Sequence, residues 1–386
     1  MENNKHHYDA IDIRFGELLL KGRNMGKFTG ILCSNITKAL SKQEYARLER
    51  LRDRFIIHLS NASNIQKIIF ILSKIPGVSI ISPVYITKPH IKSILQCSAK
   101  FSSNKNIKII ASRSFKGHKI TSVQIISAFI KSQEELSFKI DKNARHSLYI
   151  NLTKEHALLS SDRLKGPGGL PIGSSGGAIS LLSGGIDSPV STYQCMIRGI
   201  RPVYLHFHAF KDSTDSRLSK IRSVVKILSS HCGSSDIYFV PTHIFIAHTI
   251  NTPKRYELVL FKRFMYKISE YLCDKHNLLA IITGESVGQV ASQTIPNMLA
   301  SQAGIQKLIL RPLIGTGKDK IIDMAKEIGT FDTSIIPYVE VCSMKIPDPG
   351  TNIPVHIIDK LYQSTKMDEC VEKTIQQITK EYVLPG

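Results

Sequence analysis

The segment LLSGGIDSPV at residues 181–190 combines residue types that can bind a phosphate group. Gly184 and Gly185 follow an apolar run, and glycines let an anion approach backbone N–H groups closely. Asp187 or Ser188 can then cap a helix whose first turn accommodates the proline that follows. The segment predicts a phosphate-binding loop that leaves a buried strand and enters a helix, with an ordinary strand-to-helix turn as the alternative.

This loop carries no lysine, which excludes one class of nucleotide-binding protein. A Walker A loop requires the pattern G-x-x-x-x-G-K-[ST], whose lysine reaches the β- and γ-phosphates. The segment GTGKDK at residues 315–320 does not meet this requirement, because Pro312 stands where the first glycine should be. A Walker-type nucleotide site is therefore excluded.

Alternating patterns around the loop predict the elements that position it. Residues 163–178 are rich in glycine and proline and mark a domain boundary or a glycine-rich loop. After them, apolar segments of strand length alternate with helical patterns, which predicts a parallel sheet with helices on both faces. The predicted strands are 178–182, 202–207, 236–240 and 278–283, and the predicted helices are 188–199, 215–231, 254–276 and 319–328.

The chain before residue 163 gives weaker patterns. Short apolar segments such as YDAIDIRF, RFIIHL and HSLYINL alternate with helical patterns at 64–74 and 121–136. This mixture predicts an α+β region of two small units, with a break near Pro76 and Gly77.

The charge of the chain predicts a polyanionic partner. The sequence has 51 Lys and Arg against 31 Asp and Glu, a formal net charge of +20, and no low-complexity basic tail. The excess is therefore spread over folded surface and favours nucleic acid as the partner, while a ribosome-associated or membrane-surface protein would show the same balance.

The N-terminal residues, the apolar runs and the cysteines predict the compartment of the protein and exclude some kinds of site. The N-terminal residues do not form a secretory signal, and no apolar run approaches the ~20 residues that a membrane span needs, so we expect a cytoplasmic protein that does not enter a membrane. The seven cysteines are scattered and never form a C-x-x-C pair, which argues against disulfides, zinc and an iron–sulfur cluster. Most of them are expected to be small core residues.

Several long motifs occur in an order that is typical of one protein family. The loop SGGIDS is similar to the S-G-G-x-D-S loop of the pyrophosphate-loop ATPases, which cleave ATP between the α- and β-phosphates. Four other segments occur with this loop in the order that the family shows: IRFGELLLKGRN, VYLHFHAF, AIITGESVGQVASQT and LRPLIGTGKDKIIDMAKEIGT. Together they resemble the ThiI family of tRNA 4-thiouridine synthases, and the resemblance covers nearly the whole chain.

The resemblance implies three domains and an activity. A ferredoxin-like domain is expected at 1–75, a THUMP RNA-binding domain at 76–168 or starting near 61, and an α/β parallel-sheet pyrophosphate-loop domain at 169–386. The N-terminal domains would hold tRNA, and the last domain would adenylate C4 of uridine 8 before sulfur transfer. The implied enzyme is a tRNA sulfurtransferase that uses ATP, accompanied by Mg²⁺.

By position in these motifs, the resemblance also implies the residues that bind the nucleotide. Strand-end backbone would read adenine, loop amides would hold phosphate, and a cation would offset charge. The implied residues are Leu181, Leu182, Ser183, Gly184, Gly185, Asp187, Ser188, His206, Phe207, Arg263, Gly284 and Gln293. For Arg263 the alternative is a solvated helix face, since other basic residues share its helical pattern.

Two further residues would act with Asp187 in catalysis. Lys318 stands where the family carries a lysine after R-P-L and could stabilise charge that develops on the adenylated base, although it could equally begin the helix at 319–328. In the family an acidic residue usually precedes this lysine, but here that position is Gly317. Asp319 could take the role of the missing acidic residue. Cys342 matches the sulfur-handling cysteine of the family, whose thiolate carries sulfane sulfur or attacks a persulfide.

The end of the chain departs from the longer family members. It stops at Gly386 after one amphipathic helix-like tail, so the rhodanese domain of those members is expected to be absent. Sulfur would then reach Cys342 from a cysteine desulfurase, directly or through a carrier. The sequence leaves three points open: which thiol resolves the disulfide, whether the protein is a homodimer, and whether it has the family's second role. That second role is sulfur supply for thiazole synthesis in the thiamine pathway.

Two other functions also remain open from the sequence. One is a tRNA-binding module whose ATPase has decayed, and the other is a pyrophosphate-loop ligase that acts on a small molecule. The intact 183–188 loop and Cys342 argue against the first, and the +20 charge and the N-terminal domains argue against the second.

Overall fold

The computed structural model describes residues 8–101, 106–338 and 349–385. The chain divides into two units, Met1–Leu170 and Pro171–Gly386. This division lies inside the glycine- and proline-rich segment 163–178, while the three domain borders expected from the sequence stay predictions. In the described ranges, no helix is both long enough and apolar enough to cross a membrane.

In its described residues, the first unit has nine strands and four α-helices. The strands are β1 (Ala10–Arg14), β2 (Arg47–Arg50), β3 (Arg54–His58), β4 (Ile80–Thr87), β5 (Asn106–Arg113), β6 (Lys139–Ile140), β7 (His146–Leu152), β8 (Ala157–Ser160) and β9 (Leu164–Lys165). The helices are α1 (Met25–Ala39), α2 (Ile65–Leu72), α3 (Ile91–Ser98) and α4 (Ser122–Lys131). The strands form one sheet in the order β2-β3-β1-β4-β8-β7-β5-β6, with β9 also paired to β4.

Strand β4 joins the two halves of this sheet. Its residues Ile80–Val84 pair with β1, and its end at Tyr85–Thr87 pairs with β8, in both cases antiparallel. One core packs β1 and β3 against α1 and α2, and a second core packs β5 and β7 against α3 and α4. The sequence patterns gave the longer strands, but they did not give the short strands β2, β6, β8 and β9, which are two to four residues long.

A buried polar network also crosses this unit. Asp12 and Arg54 are 1 % and 2 % exposed, and Arg54 Nη1 lies 3.2 Å from Asp12 Oδ2. Arg54 also donates to the hydroxyl of Ser114, whose Oγ lies 2.9 Å from Asn151 Oδ1. The network therefore connects β1 and β3 with the ends of β5 and β7, and it satisfies charges that burial would otherwise destabilise.

The second unit has a six-stranded sheet with helices on both faces. Its strands are β10 (Gly177–Leu181), β11 (Arg201–His208), β12 (Ser235–Pro241), β13 (Ala280–Ile282), β14 (Leu308–Leu310) and β15 (Thr379–Val383). Its helices are α5 (Asp187–Met196), α6 (Ser219–Cys232), α7 (His243–His248), α8 (Lys254–Lys275), α9 (Ile295–Gln302), α10 (Lys318–Ile328), α11 (Phe331–Ser334), α12 (Val355–Ser364) and α13 (Met367–Ile375). The strand order is β14-β13-β10-β11-β12-β15.

Strands β10 to β14 are parallel, which confirms the predicted fold class. Successive residues of β11 point to opposite faces, as a strand requires. Leu205 faces a core formed with α8, whereas Tyr204 faces a core formed with α5, α6 and α10. The order places β10 and β13 side by side although 95 or more residues separate them in sequence. Their connections leave to opposite sides, so a crevice opens at their carboxyl ends.

The end of the chain differs from the sequence prediction. Instead of one amphipathic helix-like tail, the chain forms α12, α13 and then β15, which pairs antiparallel with β12 from Ser235↔Val383 to Phe239↔Thr379. Arg222 of α6 contacts this edge strand, since its Nε and Nη2 lie 2.8 Å and 2.7 Å from the carboxylate of Glu381. The segment TKEYV has only five residues and no alternation of polar and apolar side chains, so its pattern alone does not identify a strand.

Candidate active site

The loop between β10 and α5 is closed by two hydroxyl groups. The backbone N–H of Ser183 donates to Ser188 Oγ at 2.8 Å, and the hydroxyls of these two serines lie 3.0 Å apart. The N–H of Gly185 donates to Ser183 Oγ at 3.2 Å. Neither Gly184 nor Gly185 has a positive φ, so here glycine provides room for close approach rather than a left-handed backbone. The loop is thus a compact turn that aims the start of α5 into the crevice.

Helix α5 begins without a side-chain cap. Its capping position is Ile186, which makes no side-chain hydrogen bond to the helix, so the prediction that Asp187 or Ser188 caps it is wrong. Asp187 instead accepts from Lys318 Nζ at 2.6 Å and from Gln289 Nε2 at 2.8 Å. The first N–H groups of the helix therefore keep the positive end of its dipole available to an anion.

Gly284 brings the end of β13 against the start of α5. A Cβ at this position would lie 2.8 Å from Ser188 N and 3.0 Å from the carbonyl carbon of Asp187. No side chain fits at that distance, so glycine is required for the end of β13 to approach the start of α5 this closely. The resemblance assigned Gly284 to nucleotide binding, and the structure adds this packing requirement.

A cleft of about 530 Å³ opens where these strand ends meet. Its apolar wall includes Leu181, Leu205, Phe207, Leu258 and Met265. Its polar groups belong to the 183–188 loop, to segment 283–293, and to His206, Lys262 and Tyr266. Ten of the twelve residues that the resemblance assigned to the nucleotide line it: Leu181, Leu182, Ser183, Gly185, Asp187, Ser188, His206, Phe207, Gly284 and Gln293. Their contact with a nucleotide stays a prediction.

His206 is held in its neutral form at the floor of the cleft. It is 2 % exposed, and burial lowers the pKa of its imidazole to about 4, below the ordinary value of 6.5. Its Nδ1 lies 2.8 Å from the carbonyl oxygen of Leu182, which can only accept, so Nδ1 carries the proton. Nε2 then accepts from the hydroxyl of Tyr338 at 2.8 Å. This pair of bonds fixes the ring and ties β11 to the loop.

Comparison with known proteins decides the family. Residues 173–367 match the family profile described as "Thiamine biosynthesis protein (ThiI)", and residues 10–82 match the "ThiI ferredoxin-like domain". The chain belongs to the ThiI family. The "Probable tRNA sulfurtransferase" of Acetivibrio thermocellus is 32% identical to this ThiI-family chain over 381 residues, which cover 95% of this chain and 97% of that protein.

Two further similarities extend over 97% of this ThiI-family chain. The "Probable tRNA sulfurtransferase" of Halothermothrix orenii is 32% identical over 391 residues, covering 97% of each protein. A crystal structure of a 4-thiouridine synthetase–RNA complex with bound ATP superposes with a TM-score of 0.84 at 26% identity, covering 97% of this chain and 100% of that chain. The family resemblance seen in the sequence is thereby confirmed.

Arg263 occupies a different position from the other residues assigned to the nucleotide. It is 4 % exposed, and its Nε and Nη2 donate to the carbonyl oxygen of Ala300 at 3.1 Å and 2.6 Å. Its Nη1 lies 2.5 Å from Asp359 Oδ1. Arg263 therefore connects α8 with α9 and α12 and does not line the cleft, as Gly184 also does not. Contact of either residue with a nucleotide stays a prediction.

The structure also shows a group of cleft residues that the sequence analysis did not select. Glu285, directly after Gly284, is 4 % exposed and accepts from Lys262 Nζ at 2.6 Å and from Arg311 Nε at 2.7 Å. The hydroxyl of Tyr266 donates to the same carboxylate at 2.9 Å. Burial alone would raise the pKa of Glu285, but the two cations outweigh burial and hold it below its usual range. Glu285 and Arg311 lie in the family motifs AIITGESVGQVASQT and LRPLIGTGKDKIIDMAKEIGT, and their place in these motifs was the signal that could have identified them.

Among the described residues that line this cleft, Asp187 is the carboxylate that a magnesium ion could bind, and its present partners are Lys318 and Gln289. Glu285 is already surrounded by three donors, whereas Asp187 lies at the edge with its side chain 21% exposed. Mg²⁺ in nucleotide sites commonly takes one or two protein carboxylates and completes its shell with phosphates and water, so Asp187 fits that use. Among the described side chains, no group of three His, Cys, Asp or Glu residues is placed to hold a metal ion.

Six of the seven cysteines lie within the described residues, and Cys342 lies outside them. Cys33, Cys97, Cys195, Cys273 and Cys370 are buried, as expected for small core residues, and Cys232 is partly buried. Burial raises the pKa of Cys195, Cys273 and Cys370 to about 11. Because the thiolate is the nucleophile, these buried thiols are poorly suited to sulfur chemistry at neutral pH.

Proposed function

We propose that this protein is a tRNA sulfurtransferase that converts uridine 8 of tRNA to 4-thiouridine and consumes ATP. The observation that carries the proposal is the uncapped start of α5 at the crevice between β10 and β13. A phosphate-binding helix start at a strand-order switch is the expected geometry for a nucleotide site. Its occurrence in a chain similar to two proteins named tRNA sulfurtransferase and to an ATP-bound 4-thiouridine synthetase favours this reaction.

The two ends of ATP would use different parts of the cleft. The apolar wall around Leu181 and Phe207 suits a base, and backbone at the ends of β10 and β11 can read its edge. The 183–188 loop and the start of α5 suit the phosphates. Lys318 and Asp187, with Nζ and Oδ1 2.6 Å apart, stand at the phosphate side and would hold charge and Mg²⁺ there.

Adenylation of the base would prepare it for sulfur. O4 of uridine attacks the α-phosphorus, the bond from that phosphorus to the bridging oxygen breaks, and pyrophosphate leaves with the electron pair. The adenylated O4 is then a good leaving group at C4. Cation and helix-dipole contacts favour this step because negative charge grows on the transferring phosphate.

A persulfide on Cys342 would deliver the sulfur. The terminal sulfur attacks C4, AMP leaves, and the base is then joined to Cys342 through an S–S bond. A second thiol attacks Cys342 Sγ, which releases 4-thiouridine and leaves a disulfide that an external thiol reduces. The persulfide itself would come from a cysteine desulfurase, directly or through a carrier. The residue or molecule that supplies the second thiol is not assigned. A homodimer and a role in thiamine synthesis stay predictions.

The test is to separate adenylation from sulfur transfer in the full-length protein. Cys342→Ser should retain tRNA-dependent pyrophosphate release and lose 4-thiouridine, measured by nucleoside mass spectrometry with desulfurase, cysteine and a thiol reductant. Cys232→Ser is the matched control and should retain both. Full 4-thiouridine formation by Cys342→Ser would refute the sulfur-carrying role.

The same assay separates the alternative functions. A tRNA-binding module with a decayed ATPase would release no pyrophosphate under any condition. A small-molecule ligase would turn over ATP without tRNA. Release that depends on tRNA, and is lost in Asp187→Ala without a comparable loss of tRNA affinity, is the outcome expected here, because the loop serves ATP and the N-terminal unit serves RNA.

A further inference from the structure

Lys262 brings an ammonium group to the wall of the cleft from helix α8. Its side chain is only 10% exposed, yet it lines the cleft together with Leu258, Met265 and Tyr266 of the same helix. A lysine is rarely buried to this extent unless its charge is paired, because removing that charge from water is costly. The neighbouring Arg263 is turned away toward α9 and does not line the cleft.

The hydrogen bonds of Lys262 leave donor capacity for a ligand. Its Nζ lies 2.6 Å from Glu285 Oε1 and 3.2 Å from the carbonyl oxygen of Ser292. An ammonium group carries three N–H donors, so two are used by these partners. The third N–H can donate a hydrogen bond to a group bound in the cleft.

The charges around Glu285 do not cancel. One carboxylate, 4 % exposed, meets two cations, Lys262 and Arg311. Their other partners are neutral, namely the carbonyl of Ser292 and the side-chain amide oxygen of Gln302. Tyr266 contributes only a neutral hydroxyl. Counted over the residues that the structure describes, this buried cluster carries one excess positive charge, which an anion in the cleft would balance.

The cluster and the start of α5 flank the same strand ends from opposite faces of the sheet. Helix α8 packs in the core on one face, and α5 packs in the core on the other. Gly284 approaches Ser188 at the start of α5, and Glu285, the next residue, holds Lys262. An anion over these strand ends would meet the helix dipole on one side and the ammonium of Lys262 on the other.

We propose that Lys262 contacts the phosphate chain of the bound nucleotide and supplies the cation that the lysine-free 183–188 loop lacks. Glu285 positions the ammonium, and Arg311 and Tyr266 position Glu285. This inference rests on the proposed function only in taking ATP as the nucleotide. A charge-assisted contact of this kind contributes enough to change a dissociation constant about 10- to 100-fold.

The experiment compares ligands that differ only in their phosphates. Binding of ATP and of adenosine to the full-length protein is measured by isothermal titration calorimetry for wild type and Lys262→Met. The variant should bind ATP about 10- to 100-fold more weakly and adenosine within about twofold of wild type. It should fold, because Glu285 keeps the ion pair with Arg311 and the cluster becomes neutral.

Matched variants separate contact from disruption. Lys267→Met removes a lysine from the same helix whose Nζ lies 3.0 Å from Glu270 Oε2, outside the cleft lining, and it should leave ATP binding unchanged. Lys262→Arg should retain most of the ATP affinity, since it keeps the charge. If Lys262→Met does not fold, Lys262→Gln provides the same test, because it keeps a donor for Glu285 without the charge.

Two results would overturn the inference. Unchanged ATP affinity in a folded Lys262→Met or Lys262→Gln protein would show that no phosphate contact exists. Equal weakening of ATP and adenosine would show that the residue only shapes the cleft. A wild-type protein that binds no ATP would instead refute the proposed function, and the inference with it.

Discussion

Lowering the pH from 7 to 4.5 should destabilise the protein through His206. Burial lowers the pKa of this imidazole to about 4 in the folded protein, whereas in the unfolded chain it titrates near its ordinary value of 6.5. Between these two values the unfolded chain binds a proton that the folded protein does not. The stabilisation is therefore fully present above pH 6.5 and is lost as the pH falls toward 4.

The pKa difference sets the size of the effect. Each unit of difference corresponds to about 1.4 kcal/mol, so the largest loss is about 3 kcal/mol, of which about 2 kcal/mol falls between pH 7 and pH 4.5. No discount for solvent screening applies, because the side chain is 2 % exposed. A loss of this size is a substantial part of the 5–15 kcal/mol by which domains are typically stable.

The assay must separate His206 from the other titrating groups. Urea unfolding of wild type and His206→Gln, followed by circular dichroism at several pH values, gives the difference in free energy of unfolding between the two proteins. That difference should fall by about 2 kcal/mol from pH 7 to pH 4.5, because only wild type carries the buried imidazole. His243→Gln, at an exposed position on α7, is the matched control and should show no such change.

A direct titration checks the same reasoning at the residue. In a protein labelled with ¹³C-histidine, the imidazole resonance that disappears in His206→Gln should not shift between pH 8 and pH 5.5. A resonance that titrates near pH 6.5, or a free energy difference that does not change with pH, would refute the assignment of His206 as a buried neutral group.

Three further predictions concern contacts between the elements of the second unit. Gly284→Ala should cost about 1–3 kcal/mol in free energy of unfolding and weaken ATP binding, because a Cβ would lie 2.8 Å from Ser188 N; a melting temperature equal to that of wild type would contradict this. Arg263→Met should cost about 2–3 kcal/mol in free energy of unfolding, because it leaves the carbonyl of Ala300 in α9 without its buried donor, and ATP affinity measured in the folded variant tests the predicted contact of Arg263 with the nucleotide. Glu381→Gln should change the free energy of unfolding by less than about 1 kcal/mol in urea unfolding, because its ion pair is about one-third exposed, and a larger loss would mean that β15 depends on this pair.

Local sequence determined the elements that carry the loop. An apolar run, then two glycines, then a helical pattern can form little other than a strand, a tight turn and a helix, and β10 and α5 bear this out. The strand at 202–207 and the helix at 254–276 followed from periodicity alone, within two residues of β11 and α8. The type of each of these elements depends on residues that are close in sequence, so the hydrophobic pattern of the segment predicts it directly.

Contacts between distant residues could not be read in the same way. Asp187 was expected to cap its own helix, but it pairs with Lys318, which lies 131 residues away. The short strand β15 exists because β12 offers an open edge, and its own five residues are too few to identify it. In both cases the partner is supplied by the fold.

The choice between Lys262 and Arg263 shows the same limit most clearly. Adjacent residues on a helix point about 100° apart, so the sequence placed two cations in one turn without saying which faces the cleft. Helix α9 and its Ala300 carbonyl bind Arg263, and Glu285 at the end of β13 binds Lys262. The sequence determined that a cation stands here on α8, and only the packing of α8 against α9 and β13 decided which one faces the cleft, because side-chain direction depends on where the neighbouring elements lie.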